Sequence, residues 1–184
     1  GRKIKKDLAG SGKSITLELG GKSPFIIFDD ADIDGAIEGL VDAIWLNQGQ
    51  VCCAGSRLLV QEPIYATVYK KLIARMKKIR VGNPLDKSID MGAIISSEQL
   101  NRINSMVSDS VKDGAELFQC ALPNDLEGFY FPPSLINKVS PSMTIFQEEV
   151  FGPVLVCTTF RTPSEAVELA NNSKYGLSAS IWTE

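Results

Sequence analysis

The stretch PFIIFDDADIDGAIEGLVDAIW, residues 24–45, carries the reading that decides the fold. Its first five residues, Pro24–Phe28, form the short apolar run of a buried strand. Asp32 is a capping residue by type. After it Ile33, Ala36, Ile37, Leu40, Val41, Ile44 and Trp45 recur at i, i+3 and i+4 and make one apolar helical face. This helix is expected to stop near Gln48-Gly49, where glycine ends it. A β-type run, Arg57–Gln61, follows. Strand, helix and strand in this order begin an alternation that continues along the chain and predicts an α/β fold with a largely parallel sheet.

Upstream, a charged helical piece spans residues 2–9 and a strand is expected at Ile15–Leu19. Downstream, Pro63 opens a helix reaching about Ile79, in keeping with proline at a first turn. Ser96 and Gln99 form a capping-box signature before Leu100, Ile103, Val107 and Val111, which share a face. Gly114 ends that helix. Strands are expected at Ala115–Gln119, Leu135–Val139, Val154–Phe160 and Leu177–Trp182, with a helix capped by Thr162-Pro163-Ser164-Glu165 before the last.

The 184 residues suffice for one ordinary domain with a real core. With 19 basic and 22 acidic residues the net charge is −3, which argues against electrostatic binding of nucleic acid. The basic stretch Lys70–Arg80 is broken by Leu72, Ile73, Met76 and Ile79 and reads as a solvated helix face. No apolar run approaches the roughly 18 residues of a membrane span. The four cysteines (52, 53, 120 and 157) fit no metal spacing, and the chain has no histidine. Reduced thiols and a cytoplasmic setting are the expectation. The chain starts at Gly1 and stops in a strand-like run, so it is read as a piece of a longer protein.

Cys52 and Cys53 lie in Asn47-Gln48-Gly49-Gln50-Val51-Cys52-Cys53-Ala54-Gly55-Ser56-Arg57. A thiol in a Gly-rich loop between helix and strand is a candidate nucleophile, set against its bland reading as buried filler. Without histidine, its activation falls to a carboxylate, a helix terminus, a lysine or a bound ligand. Glu18 precedes Gly20-Gly21, a corner where a ligand can approach the backbone closely. It is a candidate water-activating base, or else it pairs with Lys22. Gly10-Ser11-Gly12-Lys13-Ser14 is no phosphate loop: Asp7 stands where glycine is needed, and helix precedes strand. A dinucleotide fingerprint fails too, since Lys13 takes the third glycine position. Glu148-Glu149-Val150-Phe151-Gly152-Pro153 either closes a loop or offers a carboxylate to a polyol with Phe151 against a ring.

Together these pieces resemble the aldehyde dehydrogenase superfamily over nearly the whole chain. The Glu18 run resembles the family's glutamate motif and the Gln48–Arg57 run its cysteine motif, 34 positions apart as in the family. Glu149-Val150-Phe151-Gly152-Pro153 resembles its cofactor-ribose motif, and Asn171–Leu177 a later helix-to-strand block. Two further runs, Leu58–Glu62 and Met91–Ile94, resemble the duplicated family-16 branch. The resemblance implies a three-layer α/β/α catalytic domain over 20–184, with 1–19 a remnant of a dinucleotide-binding domain. It implies Cys52 as nucleophile, Cys53 as packing neighbour and Glu18 as base. Glu149, Phe151, Leu19 and Gly1 would touch NAD or NADP. A small aldehyde would be the substrate, the intact protein a homo-oligomer, and the chain alone inactive. The rivals are a non-catalytic scaffold and a cofactor-independent thiol esterase, which would use the same Cys52 and Glu18.

Overall fold

A computed structural model describes all 184 residues. In chain order the elements are α1 (Arg2–Asp7), β1 (Pro24–Ile27), α2 (Ile33–Trp45), β2 (Arg57–Gln61), α3 (Tyr65–Met76), α4 (Ser97–Lys112), β3 (Glu116–Gln119), β4 (Ser134–Asn137), α5 (Thr144–Gln147), β5 (Val154–Phe160), α6 (Pro163–Asn171) and β6 (Ser180–Trp182). The six strands form one sheet in the order β3-β4-β5-β2-β1-β6. Every neighbouring pair is parallel except β3 with β4.

Because successive strand residues face opposite ways, the sheet separates two cores. On one face Phe25, Ile27, Leu58, Val60, Leu155 and Cys157 meet α2 and α3, through residues such as Leu40, Ile44, Leu72 and Met76. On the other, Ile26, Leu59, Ile136, Val154 and Val156 meet α4, α5 and α6, through Ile103, Val107, Phe146 and Ala166. The result is the three-layer α/β/α arrangement. Asp32 caps α2 as its type foretells, its Oδ1 accepting from the N–H groups of Asp34 and Gly35. Five large apolar side chains of α2 are buried. At roughly 2 kcal/mol each, they outweigh the two internal glycines, Gly35 and Gly39, which cost about 1 kcal/mol apiece.

Several expected elements are corrected. Residues Ile15–Leu19 are not a strand. Their alternation suits one, but β1 already has β2 and β6 on its two sides, so the sheet has no free edge there. Residues 14–20 make no backbone–backbone hydrogen bond and are almost wholly exposed. The helix opened by Pro63 is a 3₁₀ turn over Glu62–Ile64 followed by α3, which ends at Met76, short of Ile79. The last strand begins at Ser180, later than Leu177. α2 stops at Trp45, and Asn47, Gln48 and Gly49 follow with φ of 50°, 59° and 69°. A left-handed turn, not a glycine cap alone, ends this helix. No helix is long and apolar enough to cross a membrane.

Candidate active site

The strand order sets the site. In β5-β2-β1-β6 four parallel strands stand side by side, so the loops that lead into them also stand side by side. These loops hold Glu149 and Phe151 (into β5), Cys52 (into β2), Glu18 to Lys22 (into β1) and Ser178 (into β6). The site therefore lies at the N-terminal ends of the strands, opposite to the end where open α/β sheets commonly bind ligands. An open cleft of about 640 Å³ is lined there by Glu18, Leu19, Gly20, Asn47, Gln50, Val51, Cys52, Gln99, Arg102, Glu149 and Phe151. Five of the six residues expected from the sequence thus line one space. The sixth, Gly1, lies behind it: a Cβ built there would stand 2.9 Å from Leu19 Cδ1.

The cysteine loop is anchored from within. The left-handed run 47–49 costs roughly 1 kcal/mol or more for each non-glycine residue, and long-range hydrogen bonds offset that cost. Gln48 Nε2 donates to the Ala93 carbonyl (3.1 Å), and its Oε1 accepts from the Gly92 N–H (3.3 Å). Gln50 Oε1 accepts from the Ile95 N–H (3.1 Å). Arg57, buried at the foot of β2, donates to the carbonyls of Lys22, Leu169 and Ala170 at 2.7–2.9 Å and lies over the Phe146 ring. Cys52 is half-buried at the cleft and its thiol is free. Cys53 is exposed, which corrects its expected role as a packing neighbour. Its backbone carbonyl accepts from Ser178 Oγ (3.1 Å).

The Glu148–Pro153 loop is anchored likewise. Arg102 Nη2 donates to the Glu149 carbonyl (3.0 Å), Gln99 Nε2 to those of Val150 and Phe151 (2.9 and 3.0 Å), and Trp45 Nε1 to that of Pro153 (3.2 Å). Phe151 has φ 54°, unusual for a bulky residue, and the Gln99 clasp offsets that strain. Gln99 and Arg102 escaped the sequence reading because Gln99 looked like half of a capping box. Ser96 Oγ does accept from the Gln99 N–H (3.2 Å), yet the Gln99 amide turns to the loop.

The two neighbouring carboxylates divide. Glu149 lines the cleft, and its Oε1 accepts from the Gly21 N–H (3.0 Å). Glu148 turns away to Lys174 Nζ (2.6 Å) and Tyr175 Oη (3.2 Å); the hydrogen bond from Lys174 pulls its carboxyl below the ordinary range. Gly20 and Gly21 fit under this arrangement. A Cβ on Gly20 would sit 2.1 Å from Glu149 Oε2, and one on Gly21 would sit 2.1 Å from the Cys52 carbonyl oxygen.

The pairing of Glu18 with Lys22 does not form. Glu18 is exposed at the cleft, whereas Lys22 is 1 % exposed and its ammonium has no hydrogen-bond partner. Burial, and next the charge of Arg57, bring the Lys22 amine down to about 7, with Glu149 and Glu148 pulling the other way.

The cleft thus brings together a thiol and two carboxylates, Cys52, Glu18 and Glu149, from three separate loops. The family model described as "Aldehyde dehydrogenase family" matches residues 1–184. The chain belongs to the aldehyde dehydrogenase family. A betaine aldehyde dehydrogenase of Bacillus subtilis is 39% identical over 188 residues, covering 100% of this chain and 38% of the relative. Aminoaldehyde dehydrogenase 2 of Zea mays is 45% identical, covering 98% of this chain and 36% of the relative. The solved betaine aldehyde dehydrogenase of Staphylococcus aureus in complex with NAD+ superposes with TM-score 0.92 at 42% identity, covering 100% of this chain and 37% of that one. This aldehyde dehydrogenase chain thus spans little more than a third of the length of these relatives.

Proposed function

We propose that the chain supplies the thiol and the general base of an NAD-dependent aldehyde dehydrogenase. The observation that carries this reading is the shared cleft: Glu18, Cys52 and Glu149, from three separate loops, line one space. A scaffold would have no physical need for that convergence.

The residues fit a nucleotide sugar. Glu149 Oε1 is held by the Gly21 N–H, so Oε2 is left for a ribose hydroxyl, and Gly20 leaves the approach clear of a side chain. Phe151 and Leu19 line the same cleft, so the Phe151 side chain would pack against the cofactor and the Leu19 backbone would meet the nicotinamide amide. When bound, the cofactor accepts a hydride. The Cys52 thiolate would add to the aldehyde carbon, and its own backbone N–H would support the oxyanion. With the carbonyl carbon held on Cys52, loss of its C–H hydrogen as hydride to the bound cofactor would leave an acyl thioester on the Cys52 sulfur. Glu18 then takes a proton from water, whose oxygen attacks the thioester carbon, and the acid leaves as the thiolate is restored.

Residues 1–19 are assigned to the edge of a dinucleotide-binding domain and 20–184 to the catalytic domain of a longer, oligomeric protein, in which the activity resides. The exposed course of residues 14–20 supports this, since the proposed base needs a neighbour to hold it. The decisive experiment is NADH absorbance when the full-length protein meets an aldehyde panel and NAD+, beside its Cys52→Ala variant. Formation of NADH that is lost in the variant is expected. A folded protein silent across the panel, with NADP+ also tried, would return the scaffold reading. Ester cleavage at Cys52 without cofactor, and no NADH, would return the esterase reading. The 184-residue chain alone is expected to form no NADH.

A further inference from the structure

Glu149 is held at its carboxylate, its carbonyl and its N–H by three different elements. The Gly21 N–H, in the loop before β1, holds its carboxylate at 3.0 Å. Arg102, on α4, holds its carbonyl at 3.0 Å. The Tyr175 hydroxyl, in the loop before β6, accepts from its N–H at 3.5 Å and donates to Glu148 Oε2 at 3.2 Å. Lys174 closes the group: its ammonium is 2.6 Å from the other Glu148 oxygen and lies 5.4 Å from the centre of the Tyr175 ring. One phenol oxygen thus bridges two consecutive residues, one of which faces the cleft while the other does not.

The wall position supports a role beyond packing. Tyr175 lines two further cavities, of about 260 and 540 Å³, and the second also contains Leu19 and Gly20. Tyr175 therefore stands near the same Leu19–Gly20 corner that lines the cleft. A charge-assisted bond to Glu148 is about twice as strong as a neutral one, so the hydroxyl is oriented by Glu148. Its lone pair is thereby turned to the long, weaker contact with the Glu149 N–H.

We propose that Tyr175, oriented by Glu148 and Lys174, is a positioning residue that fixes the Glu149 carboxylate in its ribose-holding pose. The inference rests on the assignment of Glu149 to the cofactor ribose. It makes Tyr175→Phe, which removes a single oxygen, a test of geometry rather than of bulk.

The experiment uses the full-length protein and reads three quantities: the Kd of NAD+ by fluorescence quenching, the alkylation rate of Cys52 by iodoacetamide without cofactor, and the melting temperature. Tyr175→Phe is expected to weaken NAD+ about 3- to 10-fold, the worth of one lost hydrogen bond, while alkylation of Cys52 stays at the parent rate. Glu148→Gln, nearly isosteric, is expected to weaken NAD+ by a smaller factor, and the double variant is expected to be no weaker than Tyr175→Phe. A purely structural tyrosine would instead lower the melting temperature and leave the Kd of the folded fraction unchanged, which overturns the proposal. Glu149→Gln separates the two layers. If it weakens NAD+ while Tyr175→Phe and Glu148→Gln do not, the clamp alone fails. If Glu149→Gln also leaves the Kd unchanged, the ribose assignment has failed and the clamp with it.

Discussion

The proposed nucleophile and the proposed base reach one cleft by opposite means. The run Asn47–Arg57 is tied to residues 92–95 by Gln48 and Gln50, and to α6 by Arg57. It also pays, through Asn47 and Gln48, for a backbone that side chains seldom adopt. The run 14–20 has no backbone–backbone bond, and its large apolar side chains Ile15, Leu17 and Leu19 are 37–51 % exposed. The first hydrogen bond beyond its end is that of the Gly21 N–H with Glu149, and Leu19 lies near Gly1, where an added Cβ would come within 2.9 Å of its Cδ1. The difference teaches that this chain builds the thiol half of the site from its own core. The base half is delivered on a strand-like segment with no sheet to join.

Substitutions at the glycines press hardest on that comparison. Gly49→Ala would bring a Cβ to 2.2 Å from the Gly152 carbonyl oxygen at φ +69°, backbone against backbone. A loss of about 3 kcal/mol or more is expected by urea unfolding of the chain; a loss under about 1 kcal/mol would show that the pinned rim can shift. Gly20→Ala meets only the end of the Glu149 side chain, at 2.1 Å. Here the unfolding free energy is expected to fall by at most about 1 kcal/mol, with the damage appearing in NAD+ affinity of the full-length protein.

Lys22 gives an intermediate effect with a distinctive pH dependence. Its amine titrates at about 7 when folded, against an ordinary lysine value in the unfolded chain. Between those values the unfolded state binds the additional proton, so stability rises with pH, by at most about 1.4 kcal/mol per unit. The penalty is complete below pH 7 and disappears above the unfolded value. Lys22→Met should flatten that rise and be more stable than the parent chain at pH 6, as read from paired urea melts at pH 6, 8 and 9. Equal slopes in parent and variant would mean that the ammonium finds a partner.

The smallest effect on stability is expected at the loose rim. Glu18 is exposed and makes no hydrogen bond or ion pair, so Glu18→Gln should move the unfolding free energy by under about 0.5 kcal/mol. In the full-length protein the same change should leave a single burst of NADH and block steady turnover, because acylation of Cys52 does not need the base. Full turnover by Glu18→Gln would remove the base assignment while leaving Cys52 in place.

Much of the layered fold was legible because burial period and capping chemistry are local: Asp32 and Ser96 announce α2 and α4, and the apolar runs at 24–27, 57–61 and 154–160 are strands. The false strand at Ile15–Leu19 was illegible for the converse reason. Alternation is a property of the segment, whereas a strand also needs a free neighbour, and β2 and β6 had taken both places beside β1. Gln99 was read from its spacing to Ser96, yet its amide serves carbonyls more than 50 residues away. Lys22 was read beside Glu18, four residues off, yet it is buried away from it.

By itself, then, the sequence determined the α/β class, the candidate thiol and carboxylates, and the resemblance to a family, because motif spacing and periodicity are carried within short runs. Only the tertiary structure decided which partners hold the two carboxylates, Lys174 and Tyr175 for Glu148 and the Gly21 N–H for Glu149, that Cys53 is exposed, and that the site lies where the parallel strands begin. Those choices depend on strand order, which places loops from residues 18, 52, 149 and 178 side by side, and no local pattern encodes which strand lies beside which.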